Sequence, residues 1–253
     1  MRSVLGAAAA AIILVGLGGP ATASEGTYPE RNWSFDGVFG NFDRAALQRG
    51  FQVYQEVCAG CHGVKYIAFR NLTEIGLSED QVKAIAAEYE VEDGPDDDGE
   101  MFERPAILSD IFPLPFANDN AARASNNGAL PPDLSLIAKA RTGGPDYLHA
   151  LLVGYEDAPD DVMLNEGMSY NRYFRGNQIA MPPPLDEDAV EYTDGTPATV
   201  DQMASDVVNF LMWTAEPKLE VRKRMGIKVI LFLLVLTALF YASKRKVWSR
   251  IDH

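Results

Sequence analysis

The spacing of apolar residues predicts a mainly α-helical protein. Residues 43–58, 77–89 and 199–215 carry apolar side chains at helical intervals, and residues 145–155 predict a shorter helix. Ser78 and the two acidic residues after it are typical of a helix start. Proline, glycine and charged residues interrupt the pattern between these segments, so we expect long loop insertions.

Residues 226–242 form an uninterrupted apolar segment near the C-terminus. Its length of about 17 residues is the lower limit for a membrane-spanning helix. A buried core helix is the alternative, but basic residues lie at both ends of the segment. We therefore predict a single transmembrane anchor with a short tail within residues 222–253.

The N-terminus has the pattern of a secretory signal. Arg2 precedes an apolar stretch over residues 4–17, and small residues at positions 21–23 are typical of a cleavage site. An uncleaved membrane anchor is the alternative. We predict a signal peptide over residues 1–23 and an exported domain over residues 24–221, which leaves the C-terminal tail in the cytoplasm.

Charge is divided unevenly along the chain. Residues 24–220 contain 35 acidic and 13 basic side chains, a net charge of −22. Such a domain repels nucleic acid and attracts basic partners, at rates that fall as salt rises. Nine of the carboxylates lie in residues 88–103. This run is either a solvated loop or a docking surface for a basic electron acceptor, and its composition does not choose between them.

The two cysteines of the chain and one histidine form a Cys-x-x-Cys-His sequence, at Cys58, Cys61 and His62. This order is typical of c-type haem attachment, in which two thiols bond the haem and the histidine binds iron. A zinc site would need about four ligands, and a thioredoxin-like pair would need a βαβ context. A structural disulfide would leave His62 and the export signal without a common explanation.

A second axial iron ligand is predicted at Met181, which precedes three consecutive prolines. Prolines reduce the conformational freedom that is lost when a thioether is held near iron. His149, on the short predicted helix, is a weaker alternative ligand. The other internal methionines lie in predicted helices or in loops without prolines beside them.

Four stretches of the chain together resemble the cytochrome c1 family, the haem-bearing subunits of cytochrome bc1 complexes. They are residues 58–62, residues 126–135, residues 173–184, and residues 213–226 with the apolar segment that follows. The resemblance covers nearly the whole chain after the signal. It implies a c-type cytochrome domain with one covalently bound haem c and a single transmembrane anchor.

The resemblance also implies roles for individual residues. Cys58 and Cys61 would carry the thioether bonds, and His62 and Met181 would be the axial ligands. The remaining positions match residues near a haem propionate (Arg141 and Tyr147) or the pocket wall (Asn126, Leu130 and Pro131). Some bacterial relatives brace the loop before the methionine ligand with an extra cysteine pair, which this chain lacks.

By this resemblance the protein is a one-electron carrier in the bacterial inner membrane, with its haem domain in the periplasm. Its expected partners are cytochrome b, the Rieske iron–sulfur protein and a soluble or membrane-tethered cytochrome c, in a dimeric complex. Quinol oxidation would belong to the assembly, because we expect no catalytic residues in this chain. Two alternatives are a free-standing anchored cytochrome that serves an oxidase, and a haem protein with an open ligand site.

Overall fold

A computed structural model describes residues 28–249. The predicted signal peptide lies outside these residues. Within them the protein is mainly helical, with two small antiparallel β-hairpins. The α-helices are α1 (Arg44–Val53), α2 (Glu79–Ala86), α3 (Asp119–Ser125), α4 (Ile137–Ala140), α5 (Gly144–Val153), α6 (Val200–Ala215) and α7 (Leu219–Trp248). The strands are β1 (Glu90–Asp93), β2 (Phe102–Pro105), β3 (Ser169–Tyr170) and β4 (Gln178–Ile179).

The first helix confirms the prediction for residues 43–58, with one difference at its end. Asp43 caps α1, and its Oδ1 accepts hydrogen bonds from the amides of Ala45 (2.9 Å) and Ala46 (3.3 Å). The last five residues, Tyr54–Cys58, form a π-helical turn. Such turns are often found at functional sites. This one ends at the first cysteine of the attachment sequence.

Helices α1 and α6 cross at Gly50. A Cβ atom added to Gly50 would lie 2.0 Å from the carbonyl oxygen of Asp206 and 2.9 Å from Cβ of Phe210. Only glycine permits this separation of the two backbones. One turn further, the rings of Tyr54 and Phe210 have centroids 5.6 Å apart. The crossing therefore joins the end of α1 firmly to the core.

A buried ion pair lies beside this crossing. Arg49 Nε is 2.9 Å from Oδ2 of Asp206, and its Nη2 is 3.1 Å from Oδ1 of the same carboxylate. Asp206 is only 1% exposed. The hydrogen bonds to Asp206 are the main cause that raises the pKa of Arg49, against the effect of burial. This bidentate geometry satisfies the buried carboxylate and constrains the rotation of α1 against α6.

The acidic run at residues 88–103 is more ordered than a solvated loop. Most of it lies in the β1–β2 hairpin, in which Val91 is opposite Arg104 and Glu92 is opposite Glu103. Arg104 pairs with the carboxylates of Asp93 and Asp110. The high negative charge of the run does not predict a hairpin, because two like charges directly opposite each other destabilise paired strands. The ion pairs of Arg104 offset this repulsion, and the sequence pattern does not reveal them.

Helix α7 confirms the predicted apolar helix and extends it at both ends. It has 30 residues, and its apolar part is not buried against the rest of the protein. At 1.5 Å per residue it is about 45 Å long, which is enough to cross a bilayer and project beyond it. By length and composition it can therefore span a membrane.

The start of α7 is joined to the N-terminal arm, residues 28–43, which is irregular. Lys223 Nζ donates hydrogen bonds to the carbonyl oxygens of Phe35 and Gly40. Glu220 accepts one from the amide of Phe42 at 2.9 Å. The arm itself is anchored because Phe35 is buried in the core. Helix α7 is thus connected to the domain by more than its covalent link to α6.

We predict that Gly50→Ala destabilises the domain by roughly 1–3 kcal/mol, the usual cost of overpacking a core. The added methyl group would force α1 and α6 apart at Asp206. Thermal unfolding of the full-length haem-loaded protein in detergent measures the effect. Gly226→Ala is the control, because a Cβ atom there meets nothing within 4 Å. Equal melting temperatures for the two variants would contradict the close crossing.

Candidate haem-binding site

The π-helical turn and the residues after it bring both cysteines and His62 onto one compact turn. The carbonyl oxygen of Cys58 accepts hydrogen bonds from the amides of Cys61 (3.1 Å) and His62 (2.9 Å). Both thiols are free; Cys58 is half-buried and Cys61 is exposed. Burial raises the pKa of the Cys58 thiol to about 12, with a smaller contribution from Cys61. Two thiols on one turn suit attachment to the two vinyl groups of a single haem.

His62 is oriented by a backbone carbonyl group. Its Nδ1 lies 2.7 Å from the carbonyl oxygen of Pro132, which can only accept a hydrogen bond. The proton is therefore on Nδ1, and Nε2 keeps its lone pair for a metal. Burial lowers the pKa of His62, although the Pro132 carbonyl opposes this effect. The neutral imidazole that iron requires is thus the favoured form.

The segment that contains Pro132 runs alongside the attachment turn. The amide of Leu134 donates to the carbonyl oxygen of Gly63 (2.8 Å), and that of Lys65 donates to Oδ2 of Asp133 (3.0 Å). Pro131, half-buried, begins this segment. The structure therefore brings the predicted wall residue Pro131 and the His62 side of the site together.

Exposed apolar side chains flank this part of the site. Leu114 is 56% exposed, Leu130 is 37% exposed and Leu136 is 47% exposed. Leu114 lies beside the attachment turn, because its Cδ2 would be 2.6 Å from a Cβ atom on Gly63. A large planar apolar group would cover such surface favourably. The free thiols, the oriented imidazole and this apolar surface all fit a haem.

Asn126 has a structural contact of its own at the end of α3. Its Nδ2 donates a hydrogen bond of 2.7 Å to the carbonyl oxygen of Ala122. The next residue, Asn127, has a φ of 50°, in the left-handed region. This turn redirects the chain towards Leu130 and Pro131. The side chain of Asn126 therefore shapes the segment that carries the wall residues.

A second group of predicted site residues lies along α5. Arg141, exposed, follows α4, and Tyr147 on α5 is half-buried. Burial raises the pKa of Tyr147, and the positive charge of Arg141 partly offsets this effect. Arg141 is therefore close enough for the two side chains to interact. Its guanidinium can bind a carboxylate in a bidentate geometry.

Met181 belongs to this second group. It is half-buried, and its carbonyl oxygen accepts a hydrogen bond of 3.1 Å from the Tyr155 hydroxyl group. Tyr155 follows α5 and interacts electrostatically with Tyr147, while burial raises its pKa. The sequence interpretation missed both Tyr155 and the role of Pro132. Neither position has a periodic signal; only the fold brings them to the ligand residues.

His149, also on α5, packs in the core. It is 5% exposed, and its ring lies 6.3 Å from that of Trp33. Its Nε2 is 3.1 Å from Oδ1 of Asp201, but the two atoms do not align as a hydrogen bond. Burial is the largest cause that lowers the pKa of His149, followed by the charge of Arg31, whereas Asp201 opposes both. This environment favours a core histidine over an iron ligand.

These features together define a membrane-anchored cytochrome of the c type. Residues 33–251 match the model of the Cytochrome C1 family. The chain is 50% identical to the cytochrome c1 of Rhodospirillum rubrum over 262 residues, which cover 96% of each protein. It is also 54% identical over 222 residues to a mitochondrial cytochrome c1 haem protein of Arabidopsis thaliana, covering 87% of this chain and 72% of that protein.

The chain therefore belongs to the cytochrome c1 family, as the sequence motifs predict. A third relative, the cytochrome b/c1 of Bradyrhizobium diazoefficiens, is 51% identical over 265 residues. Those residues are 95% of this chain but 39% of that longer protein. Family membership confirms the predicted cofactor, one covalently bound haem c, and the general role of an electron-transfer protein.

We predict that His149 makes the domain less stable in acid. In the unfolded chain His149 binds a proton below about pH 6.5. In the folded protein its pKa is lowered, so it binds the proton only at a lower pH. Stability is therefore unaffected above that pH and is lost as the pH falls towards the folded pKa. In His149→Phe the free energy of unfolding should decline less steeply below pH 6.5. Equal pH slopes in chemical denaturation of the haem-loaded proteins would contradict this prediction.

Proposed function

We propose that this protein is the haem-bearing electron-transfer subunit of a cytochrome bc1 complex. The observation that carries the proposal is His62, which lies on the same turn as two free thiols and has its Nδ1 occupied by the Pro132 carbonyl. This arrangement suits a haem iron ligand that stays neutral. The name of the Bradyrhizobium relative, which joins cytochromes b and c1, supports an association with cytochrome b.

Individual side chains would hold the haem in defined ways. Cys58 and Cys61 would form the two thioether bonds, and His62 and Met181 would supply the protein ligands of the iron. Arg141 would pair with a propionate, since its guanidinium is exposed next to Tyr147. The haem supplies the one-electron oxidation and reduction of iron. The chain contributes the attachment, the orientation of the ligands and the apolar surroundings.

Histidine and methionine together favour a high reduction potential, which suits a carrier late in an electron-transfer chain. The electron donor would be the Rieske iron–sulfur protein of the complex, and the acceptor a soluble or membrane-tethered cytochrome c. The chain itself would make or break no substrate bond. Quinol oxidation would be the work of the complete, dimeric complex.

The haem domain would lie in the periplasm, with α7 in the inner membrane. The predicted secretory signal supports this orientation. Basic residues lie on both sides of the apolar part of α7, so the charge rule for membrane helices does not set its direction. The acidic domain would then face the space in which soluble cytochromes c diffuse.

Purification from membranes tests the proposal as a whole. A tagged full-length protein extracted in mild detergent should co-purify with cytochrome b and the iron–sulfur protein, and should show a c-type haem spectrum. A protein that is isolated alone, with its haem attached, would instead support the free-standing carrier.

We predict that the reduced protein does not bind carbon monoxide at neutral pH, because Met181 would already be bound to the iron. Met181→Leu should bind carbon monoxide and have a lower reduction potential, since it loses the thioether ligand. Absorption spectra and potentiometric titration measure both effects. Met163→Leu is the matched control, because Met163 is 89% exposed in a neighbouring loop. Carbon monoxide binding by the unmodified protein would refute ligation by Met181.

We predict that the tip of the acidic hairpin accelerates electron transfer to a basic cytochrome c. The variant combines Asp97→Asn, Asp98→Asn and Glu100→Gln, and it spares Asp93 and Asp96, which make hydrogen bonds within the hairpin. Its reaction should be slower at low salt and less dependent on ionic strength, because long-range attraction is screened beyond about 10 Å at 0.1 M salt. Stopped-flow kinetics measure the rates.

A second variant controls for net charge. It combines Asp157→Asn, Asp160→Asn and Asp161→Asn, and removes the same charge from another acidic segment. We expect it to slow the reaction less than the hairpin variant. An unchanged salt dependence in the hairpin variant would reassign the hairpin tip to a simple solvated surface.

A further inference from the structure

The loop that carries Met181 is closed by a buried asparagine. Asn171 is 0% exposed, and both ends of its side-chain amide are used. Its Nδ2 donates to the carbonyl oxygen of Leu151 (2.7 Å), at the end of α5. Its Oδ1 accepts hydrogen bonds from the amides of Tyr173 (3.0 Å) and Phe174 (3.1 Å). One side chain therefore joins the beginning of the loop to the helix beside it.

A second asparagine closes the loop from its other side. Asn177 has a φ of 58°, and its Nδ2 donates to the carbonyl oxygens of Asn171 (3.2 Å) and Arg172 (3.0 Å). Its own carbonyl oxygen accepts a hydrogen bond of 3.0 Å from the amide of Asn171. The two asparagines thus bind each other's backbone. β4 follows at once and leads to Met181.

The closed loop is pressed against the end of α5. The amide of Arg172 donates to the carbonyl oxygen of Gly154 at 2.9 Å. A Cβ atom on Gly154 would lie 2.5 Å from Cδ2 of Tyr173 and 3.2 Å from Oδ1 of Asn171. No side chain fits between the loop and α5 at this point. Tyr155, the next residue, holds the far end of the loop through the carbonyl group of Met181.

We propose that Asn171 and Asn177 are positioning residues that hold Met181 at the haem iron. This inference rests on the proposed ligation of iron by Met181. The chain has no cysteine outside the attachment sequence, so a disulfide cannot brace this loop. Buried hydrogen bonds brace it instead, since Asn171 satisfies three backbone groups that would otherwise be left unpaired. The loop is then ordered before iron is bound, which reduces the entropy lost on ligation.

Substitutions in the full-length haem-loaded protein test the proposal. Asn171→Ala removes all three side-chain hydrogen bonds, and Asn171→Ser keeps an oxygen that can accept from the amide two residues ahead. Asn177→Gly keeps the left-handed backbone accessible but removes both donors. The readouts are the far-red absorption band of thioether-bound ferric haem, the reduction potential, and carbon monoxide binding to ferrous haem.

We expect Asn171→Ala to weaken the far-red band, lower the potential and bind carbon monoxide. The fraction of protein with Met181 dissociated should rise roughly tenfold, as expected for the loss of buried hydrogen bonds. Asn171→Ser should restore part of the band, and Asn177→Gly should resemble a milder Asn171→Ala. If Asn171→Ala does not fold, the other two variants carry the test. A wild-type band and potential in Asn177→Gly and Asn171→Ser would overturn the proposal.

Two further variants distinguish the positioning role from a general loss of stability and from a different iron ligand. Asn209→Ala removes a buried asparagine of α6 that bonds the carbonyl group of Ser205, so it should reduce stability without changing the band or the potential. Met181→Leu should abolish the band. If the band persists in Met181→Leu, the proposed ligand is wrong. If Met181→Leu loses it while the asparagine variants keep it, only the positioning role fails.

Discussion

At the crossing of α1 and α6, the absence of a side chain on Gly50 lets two helix backbones approach to a separation that a methyl group would prevent. The end of α1 delivers the attachment turn, and the end of α6 leads within four residues to α7. The crossing of α1 and α6 therefore fixes the position of the attachment turn relative to the start of α7. The buried pair of Arg49 and Asp206 adds a polar constraint, because a different rotation of either helix would leave a charge unpaired.

The two proposed axial ligands are held by different means. His62 follows directly after the two proposed attachment cysteines, and the Pro132 carbonyl selects its tautomer. Met181 lies in a loop whose order depends on hydrogen bonds to the end of α5. Local unfolding of that loop would require less free energy than breaking a covalent bond between a cysteine and the haem. We therefore regard the side of the proposed methionine ligand as the adjustable half of the site.

The acidic residues serve two separate purposes. Some are partners within the fold: Asp206 binds Arg49, and Asp110 binds Arg104. Others, at the tip of the β1–β2 hairpin, are exposed. The hairpin keeps Glu92 and Glu103 opposite each other despite their repulsion. This repulsion destabilises the hairpin, but it accompanies a high local density of negative charge. Such a density is what long-range attraction of a basic partner requires, as proposed.

The amino-acid sequence by itself determined the main helices, the apolar anchor and the covalent haem, because each depends on local periodicity or on adjacent residues such as Cys58, Cys61 and His62. The sequence also indicated the protein family, because several family motifs occur in it in a fixed order. Only the tertiary structure decided that residues 90–105 form a hairpin, that His149 is a core residue, and that Asn171 closes the Met181 loop. These outcomes depend on contacts between residues distant in the chain, which leave no periodic pattern in the sequence.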